Sequence, residues 1–522
     1  MASTVGRATH LHQVKVQVYF KRKVFYLKRL KLRFDVMASR RTGNNRLRKF
    51  AYWVACIFTF VASLMLLPVL LPVILLLLAY NGVLCLMIRL KGVIPLPADD
   101  AVWQQDRATN LHIVSAVVFL AGQSTVEKLQ ELVVERLVNF RRENGEKLCP
   151  RLTWRIETMY GQYVWLEDTN FNVEKHVRLW EGRQPATTTE LQEIVSEICS
   201  QPFLYDKPLW EFILIQTPDL DNSHCFVFRI HHSYADGIAL TRLFVNNLFD
   251  VPVRDYEPVR FSTKQRLFMW CKAAIVGPMT VLTKCLSSAD HSTIHGGALN
   301  GKKIVTWSKK FSLKTVKEIK NQTKTTVNDV MTSCLSGALR RYLQNHSDQK
   351  PQDIWAAVPV DIRADRKSMK FTNKFSLVFL RAPVGTEGNM EQLLETKQRM
   401  DEIKISAEPL VAASTVRLLM LLPHVISKPI LDLFSFKMSC VLSNVPGPQL
   451  TLTIGGNEAL GGVFWPPARA NIAIMMSIFS YNGQINIGVM VDEAIISQPE
   501  EIVTNFEKHF DELCDTMNIV HK

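Results

Sequence analysis

The run RIHHSYADGIAL, residues 229–240, places His231 and His232 directly after the apolar CFVF and ahead of Asp236-Gly237. A histidine acting as general base needs a neutral imidazole, held in one tautomer, with one nitrogen open to substrate. A strand end followed by a tight turn supplies this: the strand fixes the backbone and the turn aims the ring into a gap. His232 is the candidate base, and His231 fits a satisfied strand-end residue. The same spacing also allows both to be strand-end residues with no chemistry. Asp236 fits a helix N-cap that meets the backbone amides, and Gly237 allows close packing at that point.

The elements needed to position these residues can be read nearby. LWEFILIQT and HCFVFRIHH are rich in β-branched and aromatic residues, with the turn-forming PDLDNS between them, so they read as an antiparallel hairpin ending at the histidines. DGIALTRLFVNNLF follows with helical spacing. The pattern restarts after residue 300. KKIVTWS reads as a strand, TTVNDVMTSCLSGALRRYL as a helix capped by Thr325 or Thr326, and IWAAVPVDIR as a strand ending near Asp361 and Arg363. NIAIMMSIFS and INIGVMV flank an Asn482-Gly483 turn. The expectation is a mixed α/β (α+β) chain with two halves of similar size, 97–255 and 301–522, joined by a 256–300 linker. The apolar piece within that linker could pack between domains or graze a bilayer.

Length and composition set the frame. With 522 residues, 47% hydrophobic and 21% charged, the chain is folded and too long for one ordinary core. Residues 1–50 carry fourteen Lys/Arg and one acid, which is almost the whole net charge of +14. The body is therefore nearly neutral, and nucleic acid is not an expected partner. The arm at 1–49 interleaves its bases with Val, Phe, Tyr and Leu, which suits an anionic membrane surface or a solvated tail. Between Phe50 and Ile88 there is no charge. These 39 residues are too many for one span and barely enough for two. Pro68 and Pro72 lie mid-segment, and basic residues flank both ends. A bent hairpin over 50–90 with both ends in cytosol fits these features, and a single span is the alternative. The ten cysteines show no CxxC and no zinc or disulfide spacing, so no metal is expected, and reduced thiols facing cytosol are. No cofactor is expected either.

His231-His232 and Asp236-Gly237 together form HHxxxDG, which resembles the signature of the CoA-dependent acyltransferase superfamily. Pro208-Leu209-Trp210, Asn328-Asp329-Val330, VPVDIR (358–363) and LSNVPGP (442–448) resemble the PLW, ND, VPV-x-x-R and SNVPGP motifs of the wax ester synthase/diacylglycerol acyltransferase family, in its order. The likeness extends over about residues 97–515. It implies two chloramphenicol-acetyltransferase-like lobes around a central tunnel. It also implies transfer from acyl-CoA, as co-substrate, to a long-chain alcohol or diacylglycerol. His232 then matches the general base, with no acyl-enzyme. Asp236 matches a structural aspartate that pairs with an arginine, for which Arg363 is the candidate. Asn328 is the first candidate for an oxyanion donor, or else an ordinary first-turn residue. Pro208, Leu209, Trp210, Ser443 and Asn444 are assigned to the tunnel, the first three more for packing than for chemistry. The long basic arm and hairpin look like those of a membrane-tied eukaryotic version, placed at the endoplasmic reticulum or a lipid droplet. The rivals are transfer to an amine or small hydroxyl metabolite, and a silent acyl-CoA-binding lipid-droplet protein.

Overall fold

Strands 210–217 and 223–231 are buried along almost their whole length, because each face packs on a different core. Phe212, Leu214, Phe226 and Phe228 point one way, and Ile213, Ile215, Cys225 and Val227 the other, as the two-residue period of a strand requires. The computed structural model describes residues 45–220, 223–251, 263–346, 348–363 and 371–520. The basic arm to residue 44 lies outside them.

Two compact units are distinguished. One comprises Met1–Pro68 with Ala274–Ser288, and the other comprises Val69–Ala273 with Ala289–Lys522. The second unit carries both lobes. Its first sheet has the strand order Thr453–Ile454, Asn457–Trp465, Ile113–Ala121, Ser223–His231, Trp210–Thr217, Val177–Leu179. All neighbours in it are antiparallel except the last pair. The hairpin expected to end in the histidines is present, with Trp210 opposite Ile230 and Thr217 opposite Ser223. The second sheet has seven strands and runs from Phe375–Ala382 through Ile354–Asp361, Cys440–Pro446, Ile474–Tyr481 and Gln484–Asp492 to Lys303–Trp307, with the short Phe311–Ser312 also pairing on Gln484–Asp492. Its Asn482-Gly483 turn has φ of 46° and 75°, the paired positive angles of a two-residue hairpin loop. Helices Val327–Asn345 and Glu500–Thr516 cover one face of it with a single large core.

Two expectations are corrected here. The halves do not separate at 300: Asn457–Trp465, from the second half, pairs along Ile113–Ala121 and completes the first sheet. The sequence contains no marker for such an exchange, since an edge strand and a donated strand have the same residue pattern. Between the sheets, Val117, Ile213 and Val227 of the first share a core with Val305, Val441, Met475 and Met490 of the second. At about 1.5–3 kcal/mol per buried large side chain, this shared layer holds the lobes together.

The second correction concerns the bent hairpin at Pro68 and Pro72. Residues Asn45–Leu90 form one continuous helix. Proline's fixed φ is itself helical. What it removes is one amide donor and some room beside the carbonyl four residues back, and a helix in an apolar setting tolerates that loss. Phe50–Leu90 is long and apolar enough to cross a membrane, and its most apolar stretch is not buried in the protein.

Candidate functional site

His232 sits just past the end of strand Ser223–His231 and is 6% exposed. Its backbone N–H donates to the His112 carbonyl at 2.7 Å. Its Nδ1 lies 3.0 Å from Asn373 Oδ1. The Asn373 amide has only one consistent orientation, because its Nδ2 donates to Asp100 Oδ1 at 3.0 Å and to the His232 carbonyl at 2.7 Å. Asn373 Oδ1 is therefore the acceptor and His232 Nδ1 carries the proton. This leaves the Nε2 lone pair unprotonated, and no described residue bonds to it. Asp100 is in turn held by Arg151, 2.9 Å away. The imidazole stacks on Trp103 with centroids 4.1 Å apart and planes 14° apart, and Phe375 lies at 5.3 Å. Burial pushes its pKa down to about 4, so the ring is neutral at any physiological pH.

His231 points elsewhere. Its Nδ1 meets Ser233 Oγ at 2.7 Å and Gln104 Nε2 at 3.1 Å, and its Nε2 is 3.2 Å from Asp106. Asp106 also accepts from the Tyr205 hydroxyl and the His112 amide and sits 2.8 Å from His112 Nδ1. Despite burial, these partners hold its carboxyl well below the usual range. His231 is thus a strut of the strand end. Asp236 is the N-cap of helix Gly237–Leu243, accepting from the Ala239 amide at 3.0 Å. Its other oxygen accepts from Arg363 and from the Lys374 amide, both at 2.7 Å. The Asp236–Arg363 pair, 5% exposed on each side, ties the turn after His232 to the strand that carries VPVDIR.

Two cavities adjoin at this turn. The first, about 870 Å³, is lined by His232, Trp103, Asp236, Phe375, Ser443 and Asn444 among others. The second, about 790 Å³, is almost wholly apolar, with Leu240, Phe244, Phe249 and Phe479 in its walls. Gly237 and Val445 line both. A Cβ on Gly237 would lie 3.6 Å from Val445 Cγ2, so a larger side chain at 237 would project into the wall the two cavities share.

Ser443 and Asn444 line the His232 cavity from strand Cys440–Pro446. Asn328, in the first turn of its helix, does not line that cavity. Its Oδ1 accepts from Asn444 Nδ2 at 2.8 Å, so it reaches the site through Asn444. Pro208, Leu209 and Trp210 do not line either cavity, which corrects their assignment to the tunnel. Leu209 and Trp210 are fully buried in the first lobe. There the Leu209 carbonyl accepts from the His231 amide, and the Leu209 amide donates to the Tyr234 hydroxyl. Trp210 Nε1 donates to the Leu152 carbonyl. These residues brace both sides of the histidine turn. Asn373, Asp100 and Trp103 were not found by sequence reasoning. Asn373 lies in FTNKF and Asp100 in LPADD, two stretches with no periodicity and no recognised motif. Among the described residues no group of three or more His, Cys, Asp or Glu is placed to hold a metal ion.

The family model for the wax ester synthase/diacylglycerol acyltransferase catalytic domain matches residues 96–288, and that for the WS/DGAT C-terminal domain matches 371–514. A putative diacylglycerol O-acyltransferase of Mycobacterium tuberculosis is 24% identical over 457 residues, covering 79% of this chain and 94% of its own. Wax ester synthase/diacylglycerol acyltransferase 10 of Arabidopsis thaliana is 25% identical over 439 residues, covering 71% and 88%. Among solved structures, a wax ester synthase/diacylglycerol acyltransferase from Marinobacter aquaeolei matches with TM-score 0.58 and 21% identity, over 81% of this chain and 100% of its own. A trichothecene 15-O-acetyltransferase from Fusarium sporotrichioides has the same fold at TM-score 0.57 and 10% identity, over 81% and 95%.

Proposed function

The chain belongs to the wax ester synthase/diacylglycerol acyltransferase family and is an acyltransferase, and from that premise we propose that it transfers the acyl group of acyl-CoA to a lipid hydroxyl, a long-chain alcohol or diacylglycerol, with His232 as general base. The supporting observation is the tautomer: Nδ1–H is tied to Asn373 and the Nε2 lone pair is left for substrate. The acceptor hydroxyl donates its proton to Nε2 as its oxygen attacks the thioester carbonyl carbon. The C–O bond forms, and the tetrahedral oxyanion collapses with loss of the C–S bond. Nε2–H then protonates the departing thiolate, giving ester and CoA and regenerating neutral His232. No acyl-enzyme intervenes.

Trp103 favours the charged step. A neutral imidazole gains little from the indole face, whereas the imidazolium formed during transfer gains a cation–π attraction of about 1–2 kcal/mol. That gain exists only when charge develops, so it acts on the barrier rather than on binding. Ser443 Oγ, which lines the cavity and bonds to no described residue, is our candidate donor to the oxyanion, with Asn328 holding Asn444 beside it. The apolar cavity beyond Gly237 takes a hydrocarbon chain. The apolar helix anchors the chain in a membrane. The cytosolic face of the endoplasmic reticulum or a lipid droplet suits the basic flanks and the cysteines, all ten of which are free.

The test is His232→Ala, assayed on membranes with labelled acyl-CoA. Transfer is lost while the protein stays in the membrane fraction. Full transfer by that variant would overturn the mechanism.

A further inference from the structure

We propose that the outer face of helix His424–Ser435, together with the turn that leads into it, is inserted in one leaflet of a lipid bilayer. Between Leu418 and Leu433 the exposed positions are Leu418, Pro423, Val425, Ile426, Pro429 and Leu433, and every one is apolar. Val425 is 86% exposed. A surface helix normally presents charge to water and hides its apolar side, but here the polarity is reversed. Lys428 reaches inward to the carbonyls of Gln105 and Asp106. Asp432 is buried against Arg107 and Arg469. Just before the turn, Arg417 is spent on Asp99. Polar groups that could have solvated this face are committed to the protein behind it.

A second, independent observation identifies what covers the face. The Leu421 carbonyl, at the turn, accepts a hydrogen bond from Asn81 Nδ2 at 2.9 Å. Asn81 belongs to the apolar helix and lies eight residues before Arg89, the basic residue in its last turn. Eight residues are about 12 Å of helix. Around Asn81 the helix exposes Leu78, Tyr80, Val83 and Leu86. A helix that enters lipid there carries the Leu418–Ile426 turn down with it, about 12 Å along its axis from the level of Arg89. An apolar face joined to a membrane segment at that depth fits a bilayer better than a protein partner. The same helix ends at Ser435, which with Met438 lines the His232 cavity. On the acyl-transfer reading above, this gives a membrane-dissolved acceptor a short route to the base.

The experiment measures depth and needs no turnover. The full chain with Cys271→Ser and Cys285→Ser, which removes its two exposed thiols, receives Val425→Cys, is labelled with an environment-sensitive fluorophore, and is reconstituted in phosphatidylcholine vesicles. Signal from the same protein lacking Val425→Cys is subtracted. Emission at 425 is quenched by phosphatidylcholine brominated on its acyl chains and is protected from aqueous iodide. Lys317→Cys, exposed on helix Leu313–Thr323, shows the opposite pattern. Leu433→Cys repeats the test on the same face and covers the case where the first variant fails to fold. Iodide quenching at both 425 and 433 overturns the proposal in favour of a solvated face. Protection from both quenchers overturns it in favour of a protein cover, such as a second copy. Because no outcome depends on turnover, failure of the acyl-transfer reading in the His232→Ala assay would leave this result unchanged.

Discussion

Asn373→Ala removes the group that fixes the His232 tautomer. Three hydrogen bonds go: the Nδ1–H donation to Oδ1 at 3.0 Å, and the donations from Nδ2 to the His232 carbonyl at 2.7 Å and to Asp100 at 3.0 Å. Only the first selects which ring nitrogen faces substrate. At a net value of about 1–1.5 kcal/mol for a buried bond, its loss cuts the population of correctly oriented, Nε2-basic imidazole by roughly tenfold. The other two leave a buried carbonyl and a buried carboxylate short of partners, at about 1–3 kcal/mol of stability each. kcat is therefore expected to fall about 5- to 13-fold with KM changed less than about twofold, because Asn373 does not line the cavity. Single-turnover transfer from acyl-CoA at low temperature, with folding checked by thermal melts, measures this. Asn373→Asp restores only the first bond: its carboxylate accepts from Nδ1–H but faces the Asp100 carboxylate and the His232 carbonyl with no donor, so stability falls as in Asn373→Ala while kcat recovers, and its charge raises the His232 pKa from about 4, so an acid limb enters the rate profile at higher pH. An Asn373→Ala enzyme with unchanged kcat, or one that loses only KM, would refute the tautomer reasoning.

Arg363→Met strips the buried Asp236 carboxylate of its cation and costs about 3–5 kcal/mol, read as a lower urea midpoint. Gly237→Val places a branched side chain opposite Val445, so transfer of long acyl chains falls well below that of short ones in a chain-length series, while the melting temperature changes little. Burial pushes His232, His176 and His509 each to about 4. Between pH 6.5 and 4 the unfolded chain binds protons that the native chain refuses. Stability is then full above pH 6.5 and declines as pH falls, by up to roughly 3 kcal/mol per ring, which denaturant melts at pH 7.5, 6 and 5 measure. A flat profile would contradict the burial of these rings.

The hairpin bearing the histidines and the Asn482-Gly483 turn were legible because strand period and turn chemistry are local. The Asp236–Arg363 pairing was suggested by family likeness, and the structure places the two groups at 2.7 Å. Asn373 and Asp100 stayed hidden because their roles depend on which chain segments converge, and a single Asn or Asp beside a strand carries no periodic signal. Trp210 was ambiguous for the opposite reason: it stands in a motif close to the histidines, opposite Ile230, yet its indole braces the turn from behind. The long apolar helix misled at its prolines, where a locally unfavourable residue is tolerated because nothing else is better suited to an apolar surround.

The strand Asn457–Trp465 stitches the second half into the first sheet along Ile113–Ala121. Moving the lobes apart would have to peel that ladder of backbone hydrogen bonds as well as the apolar layer between the sheets. Neither half is complete without it: the first half expressed alone would leave Ile113–Ala121 as an uncovered sheet edge, open to pairing with other chains.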